Sequence, residues 1–589
     1  MIHILARFHR WRLSHMSDRA FIVLLSFISG LFSGFGAVII KNTVRFTKGV
    51  VDHLVTTDVH NYIYFGLPLL GIALTVFVVR YIVRSEVRHG IPTVLFGISM
   101  EKGKLKNHNM YSSILTSTIT VGLGGSVGLE GPTVATGAAW GSWLSKVFRL
   151  NYRDTILLLG SASAGAMAAI FKAPITGIVF AVEVIMIDFT AFSLIPLLMA
   201  SSTAVVTSYI FLGQDVLTPF KVVHAFVMSD IPYYVVLGII AGFVSVYYIK
   251  TYLFIEKIFD GFKNKMTKLL VGGAGLGILI FLFPSLYGEG YDAINAGLKG
   301  NLDYLFNNSL FFNLHNDLWV ALILIAFVIV FKIIAMSLTF AGGGVGGMFA
   351  PTLFTGVNTG ILFAHLVNLL GFRPADSNNF ALIGMAGLIA GVLHAPLTGM
   401  FLIADISGGY GLFVPLMITA TFAYLIVRAF TPYSVYHIQL ARRKQLLTHD
   451  KDTNVLRMLE VRKLIENDFE VLPPEGKLGD LVKVIEGSHR DLFPIVDTDG
   501  IMKGMLKMDD VRHLIFKHEL YDKVFLKDLM YMPEDFIDPD DSMETVAKKF
   551  ETTGRYNIAV LKDGRYLGFI SRARVFSKYR KQIIDVSHV

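Results

Sequence analysis

Between Met110 and Ser145 the chain carries no Asp, Lys or Arg, and its single acid is Glu130. A lone carboxylate among apolar residues constrains everything built around it. In hydrocarbon it is costly enough that such a side chain normally faces protein or a water-filled path and marks a functional site. It lies in Gly125-Ser126-Val127-Gly128-Leu129-Glu130-Gly131-Pro132. Proline is tolerated in a first helical turn, and glycine permits a broken backbone and the close approach of a ligand. One helix is therefore expected to end before Gly124 and another to begin near Pro132. The free N–H groups and positive dipole end of the second helix attract an anion at membrane depth. A glycine-rich helix-packing seam with one stray acid is the alternative reading.

Composition places this stretch in a membrane. Of 589 residues 53% are hydrophobic and 17% charged, with a mean hydropathy of +0.57, too apolar for an ordinary soluble protein. Phe21–Ile40 is an uncharged span, and Ile333–Phe372 lacks Asp, Glu, Lys and Arg and suffices for one or two crossings. Further candidates are Tyr62–Val79, Ile156–Phe171, Ala191–Gly213, Tyr233–Tyr248, Leu318–Phe331 and Phe380–Ala404. Residues 1–20, with Arg7, Arg10, Arg12 and Arg19, read as a retained cytoplasmic end. After Arg442-Arg443-Lys444 the chain becomes charged, so a soluble domain is expected on the same side. The net charge of +8 suits basic loops against anionic lipid, without the basic-aromatic surface of a nucleic-acid binder. With no cysteine, disulfides and thiolate metal sites are excluded.

The membrane part repeats itself. Ala173-Pro174-Ile175-Thr176-Gly177 with Glu183 matches Ala395-Pro396-Leu397-Thr398-Gly399 with Asp405. Gly124-Gly125-Ser126-Val127-Gly128 through Pro132-Thr133 matches Gly342-Gly343-Gly344-Val345-Gly346 through Pro351-Thr352, with one residue inserted before the proline. Corresponding broken segments in two repeats point to a substrate site between them. An odd number of crossings per half would make the halves antiparallel and bring their helix N-termini to one point.

Gly90-Ile91-Pro92, Gly128-Leu129-Glu130-Gly131-Pro132, Gly347-Met348-Phe349-Ala350-Pro351 and Tyr436, in this order and spacing, resemble the CLC family of chloride channels and proton/chloride exchangers. The resemblance covers nearly the whole chain. It implies a polytopic all-α membrane domain with an inverted internal repeat, assembled as a homodimer with one anion pathway per subunit. Carried onto this sequence, the anion-binding residues are Gly90, Ile91, Gly128, Gly131, Met348 and Phe349, through backbone N–H groups, and Tyr436 through its hydroxyl. Neutral donors of this kind hold chloride without trapping it. Glu130 matches the family's gating glutamate, which blocks the path as a carboxylate and swings away when protonated.

Three positions depart from the family pattern. His89 stands where a coordinating serine is common. Its ring N–H would replace the hydroxyl and tune anion affinity, or the ring turns away to the backbone. Leu129 replaces an arginine usual before the gating glutamate. Val184 stands at the inner proton-transfer glutamate of coupled members, which favours channel-like conduction over an electrogenic exchanger with a non-standard inner proton route. Glu183 beside it is expected to make a structural hydrogen bond on its own helix, with a proton relay as the alternative. Lys172 and His394, matched through the repeat, are expected to satisfy carbonyls freed at helix C-termini.

In the tail, Leu492–Val496, a turn at Asp497–Gly500 and Gly504–Asp510 form one hairpin pattern. Asn557–Leu561, a turn at Lys562–Gly564 and Gly568–Arg574 form another, with helices near Leu478–Ile485 and Met543–Phe550. This is similar to an α/β CBS-domain pair. The family's nucleotide motif is incomplete in both modules: Asp510 is kept with Lys507 in place of a hydroxyl, and Ser571 with Arg574 in place of the acid. Adenine nucleotide binding and a ligand-free dimerising role both stay open.

The expected domains are 1–20, a cytoplasmic segment; 21–440, the transmembrane domain with halves of about 20–220 and 230–435; 441–454, a linker; 455–520 and 521–582, the two CBS modules. The chain is read as a voltage-gated chloride transport protein of the plasma (inner) membrane with both termini cytoplasmic. It is not read as an enzyme, and it is expected to need no cofactor or metal. A membrane enzyme or a cation transporter would need several convergent acids or a metal cluster in the broken-helix regions.

Overall fold

The computed structural model describes residues 12, 14–55, 62–85, 87, 90–186, 190–213, 226–315, 317–371, 375–442 and 459–587. Most of the expected 441–454 linker lies outside these residues. The chain divides between Leu446 and Leu447 into two units, each taken by itself.

The first unit is helical: α1 Asp18–Val55, α2 Tyr62–Phe77, α3 Gly90–Met100, α4 Asn109–Gly122, α5 Glu130–Val147, α6 Tyr152–Phe171, α7 Pro174–Phe180, α8 Leu194–Leu212 and α9 Ile231–Asp260. They are followed by α10 Lys265–Leu282, α11 Tyr291–Leu298, α12 Leu318–Gly342, α13 Phe349–Leu369, α14 Ser377–Leu393, α15 Pro396–Ile406, α16 Phe413–Phe430 and α17 Val435–Arg442. Among the described residues nine helical spans are long and apolar enough to cross a membrane, and α3, α14 and α15 are shorter apolar helices. The chain is an integral membrane protein.

Two expected spans change shape. Leu318–Phe331 runs on through Lys332 to Gly342 because that lysine is buried and hydrogen-bonded instead of ending the helix. Phe380–Ala404 is shared by α14 and α15, which part where Pro396 cannot supply a backbone donor. The span α10 was not anticipated. Its glycines weaken a helix in water, but here Gly272 lies against Gly342 and Gly273 against Leu69, so their missing side chains let helices approach.

The repeat is written in reciprocal contacts. At the first breaks, Lys172 and His394 both adopt left-handed backbone (φ 57° and 56°) before Ala-Pro. Glu183, in a π-helical turn after α7, accepts hydrogen bonds from the N–H of Leu397 (3.0 Å) and Thr398 (2.7 Å) and from the Thr398 hydroxyl (2.7 Å). Asp405 does the converse, accepting from the N–H (3.1 Å) and hydroxyl (2.9 Å) of Thr176. Each acid thus caps the proline-initiated helix of the other half, where a carboxylate meets free N–H groups and a positive dipole end. The expected structural bond of Glu183 therefore crosses between repeats and does not stay on its own helix.

At the second breaks the register needs no inserted residue. Gly124 and Gly343, with φ 99° and 106°, turn the chain in the same way. Gly125 N–H donates to Thr120 O and Gly344 N–H to Thr339 O. Ser126 N–H donates to the Thr339 hydroxyl (3.2 Å) and Val345 N–H to the Thr120 hydroxyl (3.1 Å). The matching pairs keep one offset through Thr133 and Thr352, so Gly128 corresponds to Gly347 and Glu130 to Phe349. The insertion expected from the sequence came from aligning glycine runs by identity, whereas backbone conformation fixes the true partners.

The second unit holds two antiparallel hairpins, β1 Leu492–Val496 with β2 Met502–Lys507 and β3 Asn557–Lys562 with β4 Arg565–Ser571. Helices α18 Leu478–Gly487, α19 Met508–Val511, α20 Met543–Thr553 and α21 Arg572–Ser587 flank them. The hairpin tips meet where Met502 N–H donates to Gly564 O and Tyr566 N–H to Gly500 O. The two cores cross the expected 520/521 boundary: Leu526 packs with the first hairpin and α18, while Val461 and Leu464 pack with α20 and the second hairpin. Residues that precede one hairpin in sequence thereby complete the core of the other.

Candidate functional site

The breaks bring helix starts together. Gly128 N–H donates to Gly347 O (2.8 Å) and Gly347 N–H donates to Gly128 O (2.7 Å), a short antiparallel bridge between the two halves. It fixes α5 and α13 side by side. Each begins with the N–H groups of two residues free, Glu130 and Gly131 in one, Phe349 and Ala350 in the other, before a proline that has none to lose. The first backbone bonds of the helices proper are Thr133 N–H to Leu129 O and Thr352 N–H to Met348 O. Helix α3 starts at Gly90, whose backbone is left-handed (φ 41°) and lies against Gly131.

A cavity of about 10 Å³ is enclosed by Ile91, Pro92, Gly131, Gly347, Met348 and Tyr436, room for about one water. The Tyr436 hydroxyl is buried with no hydrogen-bond partner among the described residues. The structure thus brings together Gly90, Ile91, Gly131, Met348, Phe349 and Tyr436 from the sequence reading. Gly128 is close by, but its N–H is spent on Gly347 and is not free for an anion. His89 lies outside the described residues. We expect Gly90→Ala to abolish anion flux in liposomes while the protein still purifies folded, because an added Cβ would sit 2.5 Å from the Gly131 carbonyl carbon. Flux at the wild-type rate would show that this close approach is dispensable.

Glu130 is fully buried at the start of α5. Its Oε1 accepts a 2.5 Å hydrogen bond from the Tyr291 hydroxyl. Its Oε2 is turned toward the N–H groups of Ala350 and of Glu130 itself, yet makes no hydrogen bond of good geometry with either. A Cβ at position 128 would strike this oxygen, so Gly128 keeps the space it occupies. The carboxylate therefore stands at the N-terminus of α13, where N–H groups and the positive dipole end favour negative charge.

Above Glu130 opens a cavity of about 670 Å³, lined by Lys41, Arg45 and Lys48 of α1 together with Glu289, Tyr291 and Asp292. Sequence reasoning missed these residues. Lys41 lies in a helix read as a simple span, and Glu289 and Tyr291 lie in a loop outside every motif. The signal available was Lys41 itself, a lysine at the end of the uncharged Phe21–Ile40 run. Its ammonium binds Ile170 O near the C-terminus of α6. Lys172 donates to Gly213 O at the C-terminus of α8 (2.7 Å), a freed helix-end carbonyl as expected, but not that of the helix it follows. His394 packs its ring edge-on against Tyr424, and its Nε2 has no hydrogen-bond partner among the described residues. Leu129 is buried as the N-cap of α5, and Val184 is buried within the apolar core.

In the second unit Ser571 donates to Oε1 of Glu466 (2.5 Å) and accepts from Arg574 N–H (3.1 Å) as α21 begins. Arg490 ties Glu466 to Asp468, at 2.8 and 2.5 Å, and its guanidinium holds the Asp468 carboxyl below its ordinary range. Asp510 is exposed on α19, and the Lys507 ammonium lies 5.4 Å from the Tyr531 ring centre.

A membrane domain of two inverted repeats, with broken helices aiming their N-termini at one buried point, defines a transport protein. A family model for the voltage gated chloride channel matches residues 70–428, and one for the CBS domain matches 526–581. The H(+)/Cl(-) exchange transporter ClcA of Salmonella paratyphi A is 27% identical over 439 residues, 72% of this chain and 88% of the relative. A slow cyanobacterial Cl-/H+ antiporter superposes with a TM-score of 0.61 at 20% identity, covering 73% of this chain and 98% of its own. A eukaryotic CLC transporter superposes with a TM-score of 0.62 at 16% identity, covering 95% and 99%. The chain belongs to the CLC family of anion transport proteins and carries a C-terminal CBS pair.

Proposed function

We propose that this chain conducts chloride or similar anions along a path through the α3, α5 and α13 helix starts, opened and closed by Glu130. The observation that carries the reading is the Glu130 carboxylate with its Oε2 turned toward the N–H of Ala350, in the place of an anion, and with no well-formed hydrogen bond to that N–H. Conduction is channel-like. Val184 cannot carry a proton, and Glu183 spends both oxygens on α15, so neither passes protons inward from Glu130. The competing reading, an electrogenic proton/chloride exchanger, draws support from the name of the ClcA relative and requires a different inner route.

Liposomes separate the two. A chloride gradient is expected to drive anion flux with no uphill proton movement; acidification against a proton gradient, stoichiometric with chloride, would overturn channel-like conduction while leaving the anion path intact. The protein acts as a homodimer in the plasma membrane with both termini cytoplasmic. Crosslinking in native membranes that yields only monomer would remove the dimer. Adenine nucleotide at the CBS pair is disfavoured by the engagement of Ser571 with Glu466.

A further inference from the structure

The loop Pro284–Gly290 and the first residue of α11 play no part in the family motifs, yet they are mounted on the same frame as Glu130. Ser126, four residues before Glu130, donates its hydroxyl to Leu286 O (2.7 Å), and the Tyr287 hydroxyl donates to Gly122 O (3.0 Å). From the other half, Lys332 donates to Gly288 O (3.0 Å) and Leu286 O (3.3 Å). This lysine is completely buried with its ammonium over the Phe354 ring. A buried cation of this kind is costly unless its partners are fixed. Its burial therefore ties the loop in one position.

The loop ends by presenting Tyr291. Its hydroxyl, 2.5 Å from Oε1, is the only hydrogen-bond donor with good geometry to Glu130 among the described residues. A phenol donor favours the ionised carboxylate over the protonated one. We propose that Tyr291 is a latch on the gate, a positioning residue that holds ionised Glu130 in the pathway and sets the pH at which the pathway opens. The inference rests on the reading of Glu130 as the gate. The other titratable groups facing Glu130 are Lys41 from α1, Glu289 on the loop and Tyr436 from α17. Neither Lys41 nor Glu289 hydrogen-bonds to it among the described residues. Glu130 also lines the larger cavity, the proposed route of its protons.

The test is chloride efflux from liposomes as a function of pH. In Tyr291→Phe the pH of half-maximal flux is expected to move up by about one unit, and in the Glu130→Gln background the same change is expected to do nothing further. A Tyr291→Phe profile that superimposes on wild type, or a shift that persists in Glu130→Gln, would overturn the latch. Glu130→Gln with a normal pH profile would instead overturn the gate itself, a separate result. If Tyr291→Phe does not fold, a ring-fluorinated tyrosine at 291 keeps the shape with a stronger donor, and its profile should move down; an unmoved profile would also sink the latch.

Discussion

Glu130→Gln is expected to raise anion flux at about pH 8 by about tenfold, equivalent to about 1.4 kcal/mol, and to flatten its pH dependence. The amide keeps the size of the side chain and loses its charge. A neutral side chain has little reason to lie among the free N–H groups at the start of α13, and a permeant anion does. The positive field that now holds the carboxylate would act on chloride in its place. Glu130 is buried and lines the larger cavity, so under the proposed gating its ionisation would link the pH of that cavity to the pathway. Flux that stays low and keeps its pH response in the variant would mean that another group closes the path.

Glu183→Ala is expected to lower the stability of the membrane domain by about 3 kcal/mol, read as a clear fall in melting temperature in detergent. The glutamate satisfies two backbone N–H groups and one hydroxyl at the start of α15, and alanine leaves both N–H groups without this partner, that of Thr398 in a fully buried residue. Asp405→Ala should cost less, because a single oxygen of Asp405 serves one N–H and one hydroxyl. A melting temperature unchanged in Glu183→Ala would show that the exchanged caps do not hold the repeats together. The pH response of anion flux should be unaltered in Glu183→Gln, since the side chain has a structural task.

Much of this site can be read from residue order. The glycines and prolines around Glu130 and Phe349 state where helices stop and start, because glycine and proline act on the backbone directly. The constant spacing that matches Thr176 and Glu183 with Thr398 and Asp405 likewise announced a shared role. What stayed hidden depended on partners distant in sequence. That Glu183 would cap α15, and Asp405 α7, needs the two-fold arrangement of the halves. Lys332 looked like the end of a span, since nothing local shows that its ammonium meets the carbonyls of Leu286 and Gly288. Tyr291 carries no motif, and its meaning arises only when the loop is folded back onto Gly122 and Ser126. In the tail, apolar runs joined at Asp-Gly-type turns located the two hairpins, although the second strands begin earlier than expected and give way to helix at Met508 and Arg572, and the exchange of Val461 and Leu526 between the two cores is a tertiary choice.

The central claim is that Glu130 occupies an anion site. It is tested most directly by locating bromide, by its anomalous scattering, in crystals of the Glu130→Gln protein. Bromide beside the Ala350 N–H, where Oε2 now lies, is the predicted result; an ordered amide side chain still filling that position in the variant, with bromide absent from it, would contradict the account.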